Sequence, residues 1–205
     1  MTDARSDHWD KVYREKPPER LSWHQDSPQA SLDVLDRLGI GPATSVIDIG
    51  GGISTLVDEL IERGWQDVSV LDISEAALAT ARERLAARAD QVKWHAADIT
   101  AWSPERQYDL WHDRAVFHFL TEPSQRAAYG TTLGRALAPG GRLVIATFAL
   151  DGPEKCSGLP VTRYDARALA AAFGPEFRLI ESWTADHATP WGDRQSFQWC
   201  VFDRI

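Results

Sequence analysis

The stretch Val46-Ile47-Asp48-Ile49-Gly50-Gly51-Gly52-Ile53-Ser54 constrains this chain more than any other, because an apolar strand carrying an acid runs into glycines where a helical pattern begins. Glycine lets the backbone approach a ligand closely and adopt dihedrals that a Cβ forbids, and the helix that follows offers unpaired N–H groups. A second apolar run, Val68-Ser69-Val70-Leu71-Asp72, ends in an acid twenty residues after Gly52. That spacing suits a carboxylate accepting both hydroxyls of a ribose. Together the two segments point to a nucleotide-like cofactor. A dinucleotide turn, G-x-G-x-x-G, has a third glycine where this chain has Thr55. Asp48, two residues before the first glycine, would repel a pyrophosphate and suits a cationic amino-acid group.

The chain has 205 residues, enough for one substantial core and cramped for two. We therefore expect a single domain over 1–205, with an N-terminal helical or lid segment (1–40), a cofactor-binding core (44–148), and a substrate-side loop and hairpin (149–205). The net charge of −8, with no basic run, argues against nucleic acid as the main partner. Met1 to Asp7 lacks an apolar signal region, and no run approaches the ~20 apolar residues of a membrane span. The expectation is a cytoplasmic protein, with Cys156 and Cys200 as free thiols. No His/Cys cluster has zinc spacing, and no metal is expected.

Apolar runs alternate with helical patterns, which predicts an α/β fold with a mainly parallel sheet. Strands are expected at 44–49, 68–72, 92–95, 108–112 and 142–148. Helices fall between them, one stopping at Gly64, one capped by Ser74 and one over 123–138. A helix near 165–173 precedes extended segments at 177–184 and 196–203, placed to form an antiparallel hairpin.

The pattern D-x-G-x-G at Asp48, Gly50 and Gly52 resembles motif I of class I S-adenosylmethionine-dependent methyltransferases, and the likeness runs over about residues 44–148. It implies a Rossmann-like, seven-stranded, mainly parallel sheet with an antiparallel C-terminal hairpin and helices on both faces. The implied cofactor is S-adenosylmethionine, leaving S-adenosylhomocysteine as product. By the same resemblance Asp48, Gly50 and Gly52 line the methionine end, Asp72 with Ile73 takes the ribose, and Asp98 with Ile99 holds adenine.

A finer likeness lies in Trp111-His112-Asp113-Arg114-Ala115, followed by Arg126, Tyr129 and Asp151-Gly152-Pro153. It resembles thiopurine S-methyltransferase and the tellurite-resistance methyltransferases, whose W-D-R-G-like motif ends strand four. Here His112 intervenes and Ala115 replaces the glycine. Trp9-Asp10-Lys11-Val12-Tyr13 and Ser22-Trp23-His24-Gln25 resemble the segment such enzymes fold over bound cofactor. Similar patterns occur in lysine methyltransferases that modify elongation factors.

Trp23 is the expected cofactor cover, with Asp113 also in the cofactor site, while Trp9 and Tyr13, four apart, read as packing residues. Arg114 is the candidate for stabilising an anionic or thiolate acceptor, since a neighbouring cation favours the anion. His112 and His118 are candidate bases. Cys156, beside Lys155 in a Gly- and Pro-containing loop, is a candidate thiol of lowered pKa. The expected activity is methyl transfer to a small, thiol-like molecule. Its alternatives are a protein lysine methyltransferase, an NAD-dependent oxidoreductase, and a noncatalytic S-adenosylmethionine-binding protein.

Overall fold

A computed structural model describes residues 4–205; residues 1–3 of the expected N-terminal segment lie outside the described residues. Strand β1 (Val46–Ile49) is buried along its whole length and pairs in parallel with β2 (Val68–Asp72) on one side and β4 (Tyr108–Arg114) on the other. Strand β3 (Val92–Ala96) adds beyond β2, and β5 (Leu137–Phe148) beyond β4. The hairpin of β8 (Phe177–Ala188) and β9 (Arg194–Arg204) returns antiparallel, with β9 inserted beside β5 and β8 at the edge. The sheet order is therefore β3-β2-β1-β4-β5-β9-β8. This is the seven-stranded, mainly parallel arrangement with an antiparallel hairpin that the sequence implies. The antiparallel β9 separates it from the all-parallel dinucleotide fold.

Alternation along β1 sends its side chains into two cores. Val46 joins helix α2 (Gln29–Arg37), α3 (Leu56–Glu62) and α4 (Glu75–Leu85) on one face. Ile47 and Ile49 join α5 (Pro123–Ala136) and α6 (Ala166–Phe173) on the other. A strand buried on both faces has no polar side to show, which is why it reads as a near-continuous apolar run. The helix starts are chemically marked. Ser74 Oγ accepts the Ala77 N–H at the head of α4, and Asp165 does the same for Ala168 at α6. Gly64, at φ +79°, follows the end of α3.

Several boundaries differ from the sequence reading, and two strand starts show a clear cause. The first strand begins at Val46 instead of residue 44, because Ser45 turns its N–H and hydroxyl to the Asp109 carboxylate. The fifth begins at Leu137, five residues early. Leu137 pairs with Tyr108 and Arg142 with Leu110, so the Pro139-Gly140-Gly141 turn is looped out of an otherwise continuous ladder. Helix α1 (Ala4–Glu15) lies over the carboxyl ends of the strands, and the short strands β6 (Lys155–Cys156) and β7 (Leu159–Pro160) form a separate ladder. Among the described residues, no helix is long and apolar enough to cross a membrane.

Candidate active site

The sheet order reverses between β1 and β4, and open α/β sheets place ligands in the crevice at that switch point. A cleft of about 1210 Å³, counting its open mouth, lies there. Its walls fall into two halves of opposite chemistry.

Acids line the first half. Asp48, at the end of β1, is buried with its Oδ1 2.7 Å from His112 Nδ1, and His112 Nε2 lies 2.9 Å from Ser31 Oγ. A carboxylate only accepts, so His112 donates from Nδ1, and its Nε2 is engaged by the Ser31 hydroxyl. Both ring nitrogens are thus spent holding Asp48. His112 lines the cleft as a support, which corrects its reading as a free base. Asp72, at the end of β2, accepts the Ser74 N–H at 2.8 Å. Burial pushes its carboxyl up to about 7, and the nearby charges of Asp48 and Asp10 push the same way. Asp98 accepts the Thr100 N–H and hydroxyl and pairs with the Arg5 guanidinium.

The glycine turn leaves room between these acids. Gly52, at φ +38°, would bring a Cβ 2.7 Å from Asp72 Oδ2 and 3.2 Å from the Tyr13 hydroxyl. Gly50, at φ +67°, hydrogen-bonds back to the Leu71 carbonyl. Helix α1 closes the top. Ser6 Oγ donates to the Ile73 carbonyl, and Asp10 accepts from Ser74 Oγ and the Ala76 N–H. Trp9 packs edge-on against Trp23 and Phe119, and both Trp9 and Tyr13 also line the cleft. Three acids, a backbone cradle that a side chain would fill, and the apolar Ile73 and Ile99 fit the amine, ribose and base of an adenosyl amino acid.

The second half is cationic and aromatic. Arg114 is the last residue of β4 and shares the His112 face of that strand. Its Nη1 donates to the Trp23 carbonyl at 3.3 Å, and the guanidinium lies 5.5 Å from the Phe197 ring centroid. Among the described residues it makes no ion pair. Burial lowers its pKa to about 10, which leaves it charged at neutral pH. Phe148, Phe197, Cys156, Gln195 and Trp23 complete this wall.

Three sequence expectations fail here. Asp113 sits on the opposite face of β4 from Arg114, fully buried, where it accepts the Tyr129 hydroxyl at 2.6 Å and the Val116 N–H at 2.8 Å. It braces the β4–α5 core and does not line the cleft. His118 packs between Phe119 and Phe148, its Nδ1 accepting the Phe148 N–H, and burial drives its pKa down to about 3. It is neutral and outside the cleft, unsuited to acid–base work. Cys156 does face the cleft, yet burial pushes its thiol up to about 11, outweighing the Ser22 hydrogen bond and the Arg114 charge; Lys155 is exposed. It is a thiol, not a thiolate.

Sequence reasoning missed Ser31, Gln195, Phe148 and Phe197, which carry no motif. Ala115, in the place of the glycine of the W-D-R-G pattern, takes φ +75°. The left-handed turn survives there without its usual residue, at roughly 1–2 kcal/mol for an L-residue.

Residues 46–141 match the family described as methyltransferase domain. A trans-aconitate 2-methyltransferase of Azoarcus sp. (strain BH72) is 33% identical over 127 residues, covering 61% of this chain and 47% of that protein. The eEF1A lysine and N-terminal methyltransferase of Danio rerio is 27% identical over 148 residues, covering 70% of this chain and 21% of its own. The chain thus spans about half the length of the first of these relatives and a fifth of the second. The solved structure of the N-methyltransferase NodS from Bradyrhizobium japonicum WM9, in complex with S-adenosyl-L-homocysteine, superposes with a TM-score of 0.75 at 18% identity, covering 98% of this chain and 99% of that one. Residues 46–141 are thus similar to a methyltransferase domain, and the chain shares the fold of the NodS complex with S-adenosyl-L-homocysteine.

Proposed function

We propose that the protein transfers the methyl group of S-adenosylmethionine to a small molecule that presents an anionic nucleophile, a thiolate before others. The observation that carries this reading is Arg114: a half-buried guanidinium that lines the cleft, makes no salt bridge among the described residues, and feels the Asp48 carboxylate only at longer range. A guanidinium in a cleft with donors beyond the one given to Trp23 favours an anionic ligand that takes them.

In this reading Asp48 faces the methionine ammonium, Asp72 the ribose hydroxyls and Asp98 the adenine amine. Bound there, S-adenosylmethionine supplies a methyl activated by its sulfonium; the carbon–sulfur bond breaks as the acceptor's electron pair bonds the methyl, leaving the thioether S-adenosylhomocysteine. The chain's task is alignment and exclusion of water, and such positioning is worth roughly 7–11 kcal/mol in favourable cases. Helix α1 and Trp23 roof the cleft, Phe148 and Phe197 keep the acceptor side dry, and Arg114 holds the acceptor as its anion. No side chain is needed as general base once the nucleophile arrives deprotonated.

The thiopurine and tellurite-resistance likeness narrows to Arg114, because Trp111 and Asp113 face the α5 core. One relative is named for trans-aconitate, an organic acid, which agrees with an anionic acceptor. A lysine acceptor would set an ammonium against Arg114. Cytoplasmic residence belongs to the same reading, supported by Cys156 and Cys200 as free thiols.

The test is a labelled-methyl assay with matched thiols, carboxylic acids and amines. Thiols or acids should accept label, and Arg114→Ala should lower their kcat/KM by about a hundredfold, ~2.7 kcal/mol of transition-state stabilisation. Full turnover by Arg114→Ala at saturating substrates would refute the role.

A further inference from the structure

Gln195, on the acceptor wall of the cleft, has unusual surroundings. It is only 8% exposed, lines the cleft, and its Oε1 has no hydrogen-bond partner. An amide oxygen buried without a donor is destabilising, so such a group in a cleft wall calls for a ligand that satisfies it. The nearest ring donor on the neighbouring strand is already engaged. His187, opposite Gln195 across the β8–β9 ladder, bonds the Ser22 carbonyl at 2.7 Å through Nε2, while its Nδ1 lies 3.4 Å from Gln25 Nε2.

Gln195 also has a defined neighbour. It precedes Phe197 by two residues on β9, so the two side chains share a face of the sheet, and the Phe197 ring is the one on which Arg114 rests. A cation without a salt bridge among the described residues and an acceptor lacking a donor therefore stand on one apolar wall.

We propose that Arg114 and Gln195 form a two-point recognition site for the methyl acceptor, the guanidinium taking its anionic group and Gln195 Oε1 accepting an O–H or N–H from the same molecule. This rests on the reading of Arg114 as the partner of an anionic acceptor and adds the second contact. The substrate class becomes a small organic anion that also carries a hydrogen-bond donor, with an apolar body against Phe148 and Phe197. Discrimination follows from the burial. An acceptor without the donor leaves Oε1 unpaired, and sites built around a buried polar group reject such analogues far more strongly than they reject a missing methylene.

Calorimetry on the full chain saturated with S-adenosylhomocysteine tests this without turnover, using benzoate, 3-hydroxybenzoate and 3-hydroxybenzyl alcohol as probes. The hydroxy acid should bind about fivefold or more tighter than benzoate, and the uncharged alcohol most weakly. Gln195→Met should bring the two acids within about twofold of each other while S-adenosylhomocysteine affinity is kept, removing the contact at similar volume. If that variant loses S-adenosylhomocysteine affinity, Gln195→Asn withdraws the oxygen by one methylene and serves the same comparison. Equal binding of the two acids to the unaltered protein, or an advantage that survives the substitutions, overturns the role of Gln195 and leaves that of Arg114 standing. An alcohol that binds as well as the acids, or no binding by any probe at millimolar concentration, overturns the anionic reading and the Gln195 proposal with it.

Discussion

The two halves of the cleft are built by different means. Asp48, Asp72 and Asp98 stand at or just beyond the ends of consecutive strands β1, β2 and β3, each a few residues from the apolar run that places it. Arg114, Cys156, Gln195 and Phe197 come from β4, the β6 ladder and β9, separated by long stretches of chain. The acid half is thus a local property of successive βα turns, and the cationic half exists only after the antiparallel hairpin has closed the sheet. One fold can in this way keep a donor site while its acceptor site varies with the hairpin and the loop after β5.

Substitutions that act on one half and spare the other sharpen this contrast. The largest effect should come from Gly52→Ala, whose Cβ would land 2.7 Å from Asp72 Oδ2 at a φ of +38°. We expect S-adenosylhomocysteine affinity, followed by calorimetry, to fall about a hundredfold, ~2.7 kcal/mol. A weakening of less than about threefold would show that the cradle is not a close-approach site.

Asp72→Asn should act next, and in two directions. The buried carboxyl stands at about 7 against 3.8 for the free group, so the folded state holds this proton more tightly than the unfolded state. Stability is then fullest below about pH 4, falls as pH rises towards 7, and is level above that, by a few kcal/mol at most. Asp113, pushed up to about 6 mainly by burial, contributes with the same sign. Thermal melts should show Asp72→Asn more stable than the unaltered protein at pH 8 and similar to it at pH 4, with a flatter pH slope between. Its S-adenosylhomocysteine affinity should nonetheless drop about tenfold at pH 8, since an amide oxygen replaces a carboxylate towards two hydroxyl donors. A variant that is both less stable and unchanged in affinity would contradict the assignment.

Cys156→Ser should have the smallest effect. The thiol is protonated at neutral pH, so turnover should stay within about twofold, read as initial rates, and S-adenosylhomocysteine affinity should not change. Loss of activity would give Cys156 a chemical part that its burial argues against.

The same contrast explains what could be read from the residues in order. Strand ends, the glycine turn and Ser74 were legible because their signals are contiguous, and Thr55 in place of a third glycine separated the cofactors. Asp113 was misplaced by motif likeness, although strand alternation puts it on the Trp111 face, away from His112 and Arg114. His118 and Cys156 were misjudged because their titration depends on burial by Phe119, Phe148 and the roof of the cleft, which spacing does not encode. Gln195 was invisible for a simpler reason. A glutamine in an alternating strand has no signature until the opposing wall leaves its oxygen unpaired.

The central claim is that an acid-lined donor half faces a cationic acceptor half, and the most direct test is methyl transfer from labelled S-adenosylmethionine into cell extract. The expected result is label in low-mass products whose unmethylated acceptors an anion exchanger removes from the extract, and its loss with Arg114→Met while S-adenosylhomocysteine still binds within about threefold. Label recovered on protein, or equal transfer by Arg114→Met, would contradict it.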